Sequence, residues 1–237
     1  MTWSPPKKGA IPTPPPNNIL TLEEVLQRLE KHLPFDASTL NALNLSGKTF
    51  TNAAFHQAVF KEVVFDGAVF SQARLSQCVF IRCVLRNVTF TGTEFLQTQF
   101  LQCLLDGARF DGCQLPKGTF SECVLADARF NACEASFLVV NACRSQAVQF
   151  VATTLGNASF SKGRFTDAVF ENCDLKAARF HGTDLTAARF PGSNLTGAHA
   201  EESALARADF STAVFKNTSL DRSTLSAETL LPTSCDG

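Results

Sequence analysis

The side chains that could do chemistry in this chain are its cysteines and histidines. Nine Cys and four His (His32, His56, His181 and His199) are spread over 237 residues. Thiols and imidazoles ligate metals, form disulfides or serve as nucleophiles and bases, and each of those roles needs groups that converge. Eight of the nine cysteines instead keep one phase. Cys78, Cys83, Cys103, Cys113, Cys123, Cys133, Cys143 and Cys173 are all separated by multiples of five. Such regularity belongs to an architecture before it belongs to a site. Cys235, near the end of the sequence, is off this phase and is the thiol expected to react.

The same phase governs the large apolar residues. Of 22 Phe, all but Phe137 stand at multiples of five, and Leu fills most of the remaining places; Trp occurs once and Tyr not at all. Two residues before a large position the side chain is nearly always small, such as Ala, Cys, Gly or Thr. A spacing of five fits neither the 3.6 of a helix nor the 2 of a continuous strand. Two inward positions two residues apart fit a very short extended segment, and the other three residues must turn the chain. A chain that repeats this unit coils into a solenoid, burying one large and one small side chain per repeat against neighbouring coils. Phe60, Phe80, Phe100 and Phe120, with Cys83, Cys103 and Cys123, are expected in its core. The balance of 21 basic against 22 acidic residues excludes a global field that would gather nucleic acid. No apolar run is long enough to span a membrane and no signal peptide opens the chain, so the expected location is cytoplasmic, with reduced thiols.

Units such as Ala178–Phe180, Thr183-Asp184-Leu185 and Ala188–Phe190 have the A(D/N)LxX form, and through them the chain resembles the pentapeptide-repeat proteins over about residues 40–230. The resemblance implies an all-β solenoid, a right-handed quadrilateral parallel β-helix with four repeats per coil. Residues 39–230 would then make about 9.5 coils and, at ~4.8 Å per coil, a rod roughly 45 Å long. In such a coil Cys83, Cys103, Cys123 and Cys143 stack in one interior column, and Cys113 and Cys133 share another. Stacked side chains point in parallel, which suits neither a tetrahedral metal site nor a disulfide, so these thiols read as small hydrophobes. His181 and His199 would lie near one another across a corner, with Glu201 one coil above His181. That group has no nucleophile, no phosphate loop and no concavity. No enzymatic activity, metal or cofactor is expected.

The ends differ in material. Residues 1–19 form a Pro-rich tail. Residues 20–38 hold a capping helix, signalled by Thr21 with Glu24 and by Leu22, Val25, Leu26, Leu29 and Leu33 at helical spacing; it should shield the first coil and end at Pro34. Glu228 takes an inward slot, which places the end of the rod near Leu225. Leu230, Leu231 and Pro232, with the tail 231–237, would then cap it or support a homodimer through a solenoid end.

On the outside, Asp66, Arg86 and Asp106 should stack with alternating sign, as should Glu62 with Arg82 and Arg164 with Asp184. Val64, Ile81, Val84, Leu101, Leu104 and Val124 fall on one side of the rod, with Leu96 around the corner, and suggest a contact surface. Residues 134–145 break the pattern at Ala135, Val140 and Ser145. They read as degenerate repeats with a bulge, or as an excursion projecting Glu134, Phe137 and Val140. Function must come from the displayed faces. The first reading is a non-enzymatic scaffold binding a protein partner through a lateral face, with no nucleic acid or membrane as ligand. The alternative, implied by the family resemblance and by Phe with frequent Cys two residues before it, is a DNA mimic that protects DNA gyrase or topoisomerase IV from quinolones or toxins. Residues 40–237 carry 18 acidic and 17 basic residues, too neutral for overall mimicry. A local strip of Asp167, Glu171, Asp174, Asp184, Glu201, Glu202 and Asp209 would be needed. A secretion-system adaptor is a third reading, with no diagnostic residue.

Overall fold

The computed structural model describes residues 18–233 and the backbone of 235–236. The Pro-rich stretch and the side chain of Cys235 lie outside the described residues. Every repeat forms one side of a four-sided, right-handed parallel β-helix. The first side is a ladder of nine short strands, beginning with Ile19–Leu20, Thr39–Asn41, Val59–Lys61 and Val79–Ile81, and it spans about eight turns. The third side holds six strands, from Val69–Ser71 to Val169–Glu171. The second and fourth sides are joined by single bridges such as Val64↔Val84↔Leu104 and Arg74↔Glu94. Register keeps each residue over its counterpart one coil away, as in Phe60↔Phe80↔Phe100↔Phe120.

Nearly every corner takes one residue in the left-handed region, two positions after the large inward side chain: Glu62 (φ 56°), Gly67 (φ 65°), Gln72 (φ 53°) and Gln77 (φ 58°) make one circuit. That conformation costs a non-glycine residue roughly 1–2 kcal/mol. On the second side the turn closes with Ala68 N–H donating to Phe65 O at 2.8 Å. Polar corner side chains then hydrogen-bond along the rod, as Gln57 with Gln77 at 3.1 Å and Gln77 with Gln97 at 3.4 Å.

The core explains the dominance of Phe. Within a column, rings lie nearly parallel: Phe50–Phe70 at 4.5 Å and 10°, Phe110–Phe130 at 4.5 Å and 5°. Between columns they meet edge to face, as Phe110–Phe120 at 6.1 Å and 89°. The stacking distance matches the ~4.8 Å between hydrogen-bonded strands, so one flat ring per coil fills the column. A tyrosine hydroxyl would meet no partner there.

The eight cysteines of the five-residue phase are buried and form no disulfides. They are more than small hydrophobes. Cys83, Cys123 and Cys143 donate to the carbonyls of Phe60, Phe100 and Phe120 at 3.3, 3.3 and 3.4 Å, each 23 residues earlier. Thr183 and Thr153 make the same bond to Phe160 and Phe130 at 2.7 and 3.1 Å. Cysteine thus stands in for serine or threonine in one donor slot. Burial pushes the Cys78 thiol up to about 12 and that of Cys173 to about 11.

Neither a bulge nor an excursion forms at 134–145. Val139–Asn141 pairs with Thr119–Ser121 below and Ser159–Ser161 above. Val140 is buried between Phe120 and Phe160, so it does not project. Volume missing at Ala135 is restored from the neighbouring slot, where Leu138 is buried and its Cδ1 lies 3.4 Å from where a Cβ on Gly118 would stand. Ser145 leaves a second deficit. Phe165, one coil above, swings toward Gly163, whose missing Cβ would lie 2.6 Å from Phe165 Cε2.

At the N-terminal end, α1 (Leu22–Glu30) begins with the capping box: Glu24 N–H donates to Thr21 Oγ1, and Thr21 N–H to the Glu24 carboxylate at 2.8 Å. Val25 is buried against the first coil and Leu29 partly so, while Leu22, Leu26 and Leu33 stay exposed. The helix stops before Leu33 because His32 turns left-handed (φ 51°). At the other end the ladder passes Leu225. Asp209 bridges Leu230, a 21-residue step, and Phe215–Lys216 pairs with Cys235–Asp236. The extra residue moves Glu228 out of the inward slot; Thr229 Oγ1 donates instead, to Leu205 O at 2.9 Å. Leu225 and Leu230 are 47% and 50% exposed, with no coil stacked on them among the described residues.

Two outcomes follow from this packing. Gly163→Ala should lower stability by about 1–3 kcal/mol through its clash with Phe165, and adding Phe165→Leu should recover most of that loss in urea unfolding. The raised thiols fix a pH dependence. The unfolded chain gives up these protons near 8.5 and the fold holds them to higher pH, so their stabilisation is complete below about 8.5 and is lost as pH rises toward the folded values. Unfolding midpoints measured from pH 7 to 10.5 should fall less steeply for Cys78→Ser/Cys173→Ser than for the wild type.

Candidate interaction surface

The outward positions are those immediately before and after each large inward residue, and their periodicity of two follows from the strand. On the second side the earlier position carries Val64, Val84, Leu104 and Val124 in consecutive bridges. Ile81 and Leu101 lie on the first side. The six residues therefore wrap a corner and do not share one side, and the corner between them is polar: Arg82 reaches Glu62 at 2.5 Å and Gln102 reaches Glu122 at 2.9 Å. Leu96 is exposed on the fourth side.

Stacking hides part of this surface. Ile81 is 4% exposed although it points outward, in a cluster with Val59, Val79 and Leu101. Val59 and Val79 extend the apolar region and were not in the expected set; their 20-residue separation, which stacks them directly over one another, was the available signal. A separate apolar point is Phe137, 52% exposed at a corner with φ 60°, beside exposed Val139. Glu134 is exposed on the fourth side, bridged to Gln114 and Thr154.

His181 and His199 share the first side and do not face across a corner. Arg179 bridges His199, so Glu201 stands one coil above His181. His199 Nδ1 lies 3.5 Å from Glu201 and His181 Nε2 3.9 Å from Glu202, which also meets Arg222 at 3.1 Å. Among the described residues no group of three or more His, Cys, Asp or Glu could hold a metal. The depression lined by Arg179, His181, His199 and Glu201 is shallow and carries no nucleophile.

The seven acidic residues that might form a strip are distributed over all sides. Glu201 lies on the first, Asp184 on the second, Glu171 and Asp209 on the third and Asp174 on the fourth, with Asp167 and Glu202 at corners. Several are met by cations: Asp184 by Arg164 at 3.8 Å, Asp174 by Lys176 at 3.5 Å. The strip does not form. The expected alternating pair Arg86–Asp106 is present at 4.0 Å.

The second side changes character beyond Val124. The next bridged residues are Arg144, Arg164 and Asp184. Together with Lys162, Ala126, Ala142 and Gly163 they border a shallow depression. No helix among the described residues is long and apolar enough to cross a membrane.

Comparison with known proteins agrees with this geometry. A family model described as "Pentapeptide repeat region" matches residues 33–110 and 108–180, and one described as "Pentapeptide repeats (8 copies)" matches residues 193–227. No curated protein matches the chain in sequence. Among solved structures, a trypsin-treated form of QnrB1, a plasmid-mediated fluoroquinolone resistance protein, is 18% identical, with a TM-score of 0.54 over 80% of this chain and 92% of that one. HetL, involved in heterocyst differentiation regulation in the cyanobacterium Nostoc sp. strain PCC 7120, is 18% identical, with a TM-score of 0.44 over 86% of this chain and 94% of its own. By its repeat models and by its four-sided coil, the chain belongs to the pentapeptide-repeat family.

Proposed function

We propose that this protein is a non-enzymatic scaffold that binds a protein partner at the corner between the first and second sides. The observation that carries the reading is the ladder Val64, Val84, Leu104 and Val124 in consecutive coils, flanked by Ile81 and Leu101. A strand-rich rod presents such side chains at fixed spacing and loses little conformational entropy on binding, which favours affinity. Among the described residues, the histidine group supplies neither a nucleophile nor an enclosed pocket, which supports a binding role over a catalytic one. Exposed Leu225, Leu230 and Leu231 support a second contact, end to end between copies.

Protection of a topoisomerase is a second reading. It is favoured by the fold likeness to QnrB1 and disfavoured by acidic residues that lie on all four sides and are partly paired. Both readings are open to experiment. Leu101→Glu with Leu104→Glu should abolish capture of the partner that wild type retains, while circular dichroism stays that of a folded β-helix; unchanged capture would sink the scaffold reading. Gyrase supercoiling with a fluoroquinolone should be unaffected by the protein at any concentration, and rescue would install the second reading instead.

A further inference from the structure

The second side carries more than an apolar stripe. Its outward ladder runs Val64, Val84, Leu104, Val124, Arg144, Arg164 in consecutive coils. Arg144 and Arg164 are bridged directly, and like charges directly opposite on neighbouring strands are destabilising. Elsewhere on this side the order alternates, as in Arg86 with Asp106. Arg164 has Asp184 at 3.8 Å, whereas Arg144 and Lys162 make no ion pair among the described residues.

The interior beneath is also irregular. Ser145 occupies a slot for a large apolar side chain, and its Oγ is buried without a hydrogen-bond partner. At the outward position after Phe165 on the same side, Thr166 Oγ1 is also buried and unpartnered. An unsatisfied buried hydroxyl is destabilising. The depression at this point is bordered by the three cations and floored by small residues. Local breaches of a fold's own rules concentrate where binding demands them.

We propose that the second side is one continuous binding track for a peptide segment of the partner, with an apolar body over Val84, Leu104 and Val124 and a carboxylate cluster held by Arg144, Lys162 and Arg164. This rests on the scaffold reading and names the partner's chemistry. Nucleic acid fits less well, because a phosphate backbone needs cations repeated along the track and here three of them follow an apolar run beside Asp106. Paired carboxylates fit better, since guanidinium groups bind them through two parallel hydrogen bonds.

The test uses the full chain and a display library of fully randomised peptides about 16 residues long, with enriched sequences resynthesised and titrated by fluorescence anisotropy. Enriched peptides should combine apolar residues with at least two neighbouring carboxylates. Their affinity should fall about tenfold or more in Arg144→Glu/Arg164→Glu, and less than about twofold in Arg109→Glu/Arg129→Glu, the like-charged pair on the third side. All four arginines are exposed, so both variants should fold, which unfolding midpoints check. Failure to enrich any peptide, enrichment without carboxylates, or equal losses in the two variants would overturn the proposal. Peptides lost on Leu101→Glu/Leu104→Glu but indifferent to Arg144→Glu/Arg164→Glu would overturn it while sparing the scaffold reading. Tighter binding of a single-stranded DNA oligonucleotide at Arg144 and Arg164 would replace the peptide with nucleic acid.

Discussion

The structure depends on one match of lengths. Parallel strands linked by backbone hydrogen bonds stand ~4.8 Å apart, and offset-stacked aromatic rings prefer nearly the same separation. Phe60, Phe80, Phe100 and Phe120 meet both demands at once, as do Phe50, Phe70, Phe90 and Phe110 on the third side. Once that match holds, the rest is constrained. The 20-residue register follows, and nearly every corner takes a left-handed residue. Each small inward slot must supply either nothing or a donor for the carbonyl of the coil below. Cysteine, serine and threonine satisfy the last condition interchangeably, so the buried cysteines serve the coil as backbone-carbonyl donors.

Much of this was legible in the sequence because each inward slot announces itself by residue type. The five-residue phase, the stacked cysteines and the capping box of Thr21 and Glu24 could all be read one position at a time. What could not be read was volume shared between slots. Ala135 and Ser145 look like defects along the chain, but Leu138 over Gly118, and Phe165 beside Gly163, fill the space from a different column or coil. The 21-residue step to Leu230 was hidden for a related reason: the next pairing, Phe215 with Cys235, is again 20 residues, so the extra residue leaves no lasting periodic trace. The surface was misjudged where sequence distance stood in for side: Ile81 and Val84 sit on different sides, and the two histidines on the same one.

A solenoid of this kind separates stability from display. Inward residues decide whether the coils stack, while outward residues stack as ladders and partly hide one another, which is how Ile81 comes to be buried on the outside of a rod. The apolar ladder on the second side is therefore not a row of fully exposed side chains. It is a half-buried ridge, rigid because the coil beneath it is rigid, and such ridges lose little on binding. Acidic residues that looked like a strip along the chain fall on every side, because four consecutive repeats face four directions. Charge along the sequence and charge along the surface are nearly independent in this fold.

That independence gives the interior irregularities their meaning. Outward substitutions are cheap and common, so an isolated charge or leucine says little. An inward substitution breaks a column and needs compensation, as at Gly118 and Gly163. The two breaks, at Ala135 and Ser145, lie on successive coils' fourth and second sides, each near an unusual piece of surface. Phe137 occupies the exposed corner that follows the first; the second sits beneath the point where the second side turns from valine and leucine to arginine. Ser145 with an unsatisfied hydroxyl is a poor choice for a column whose neighbours are Leu125 and Phe165, and the rod would be more regular without it. The fold tolerates that cost where its outer face changes chemistry, which ties the depression bordered by Arg144, Lys162 and Arg164 to the core and not to chance variation of surface residues.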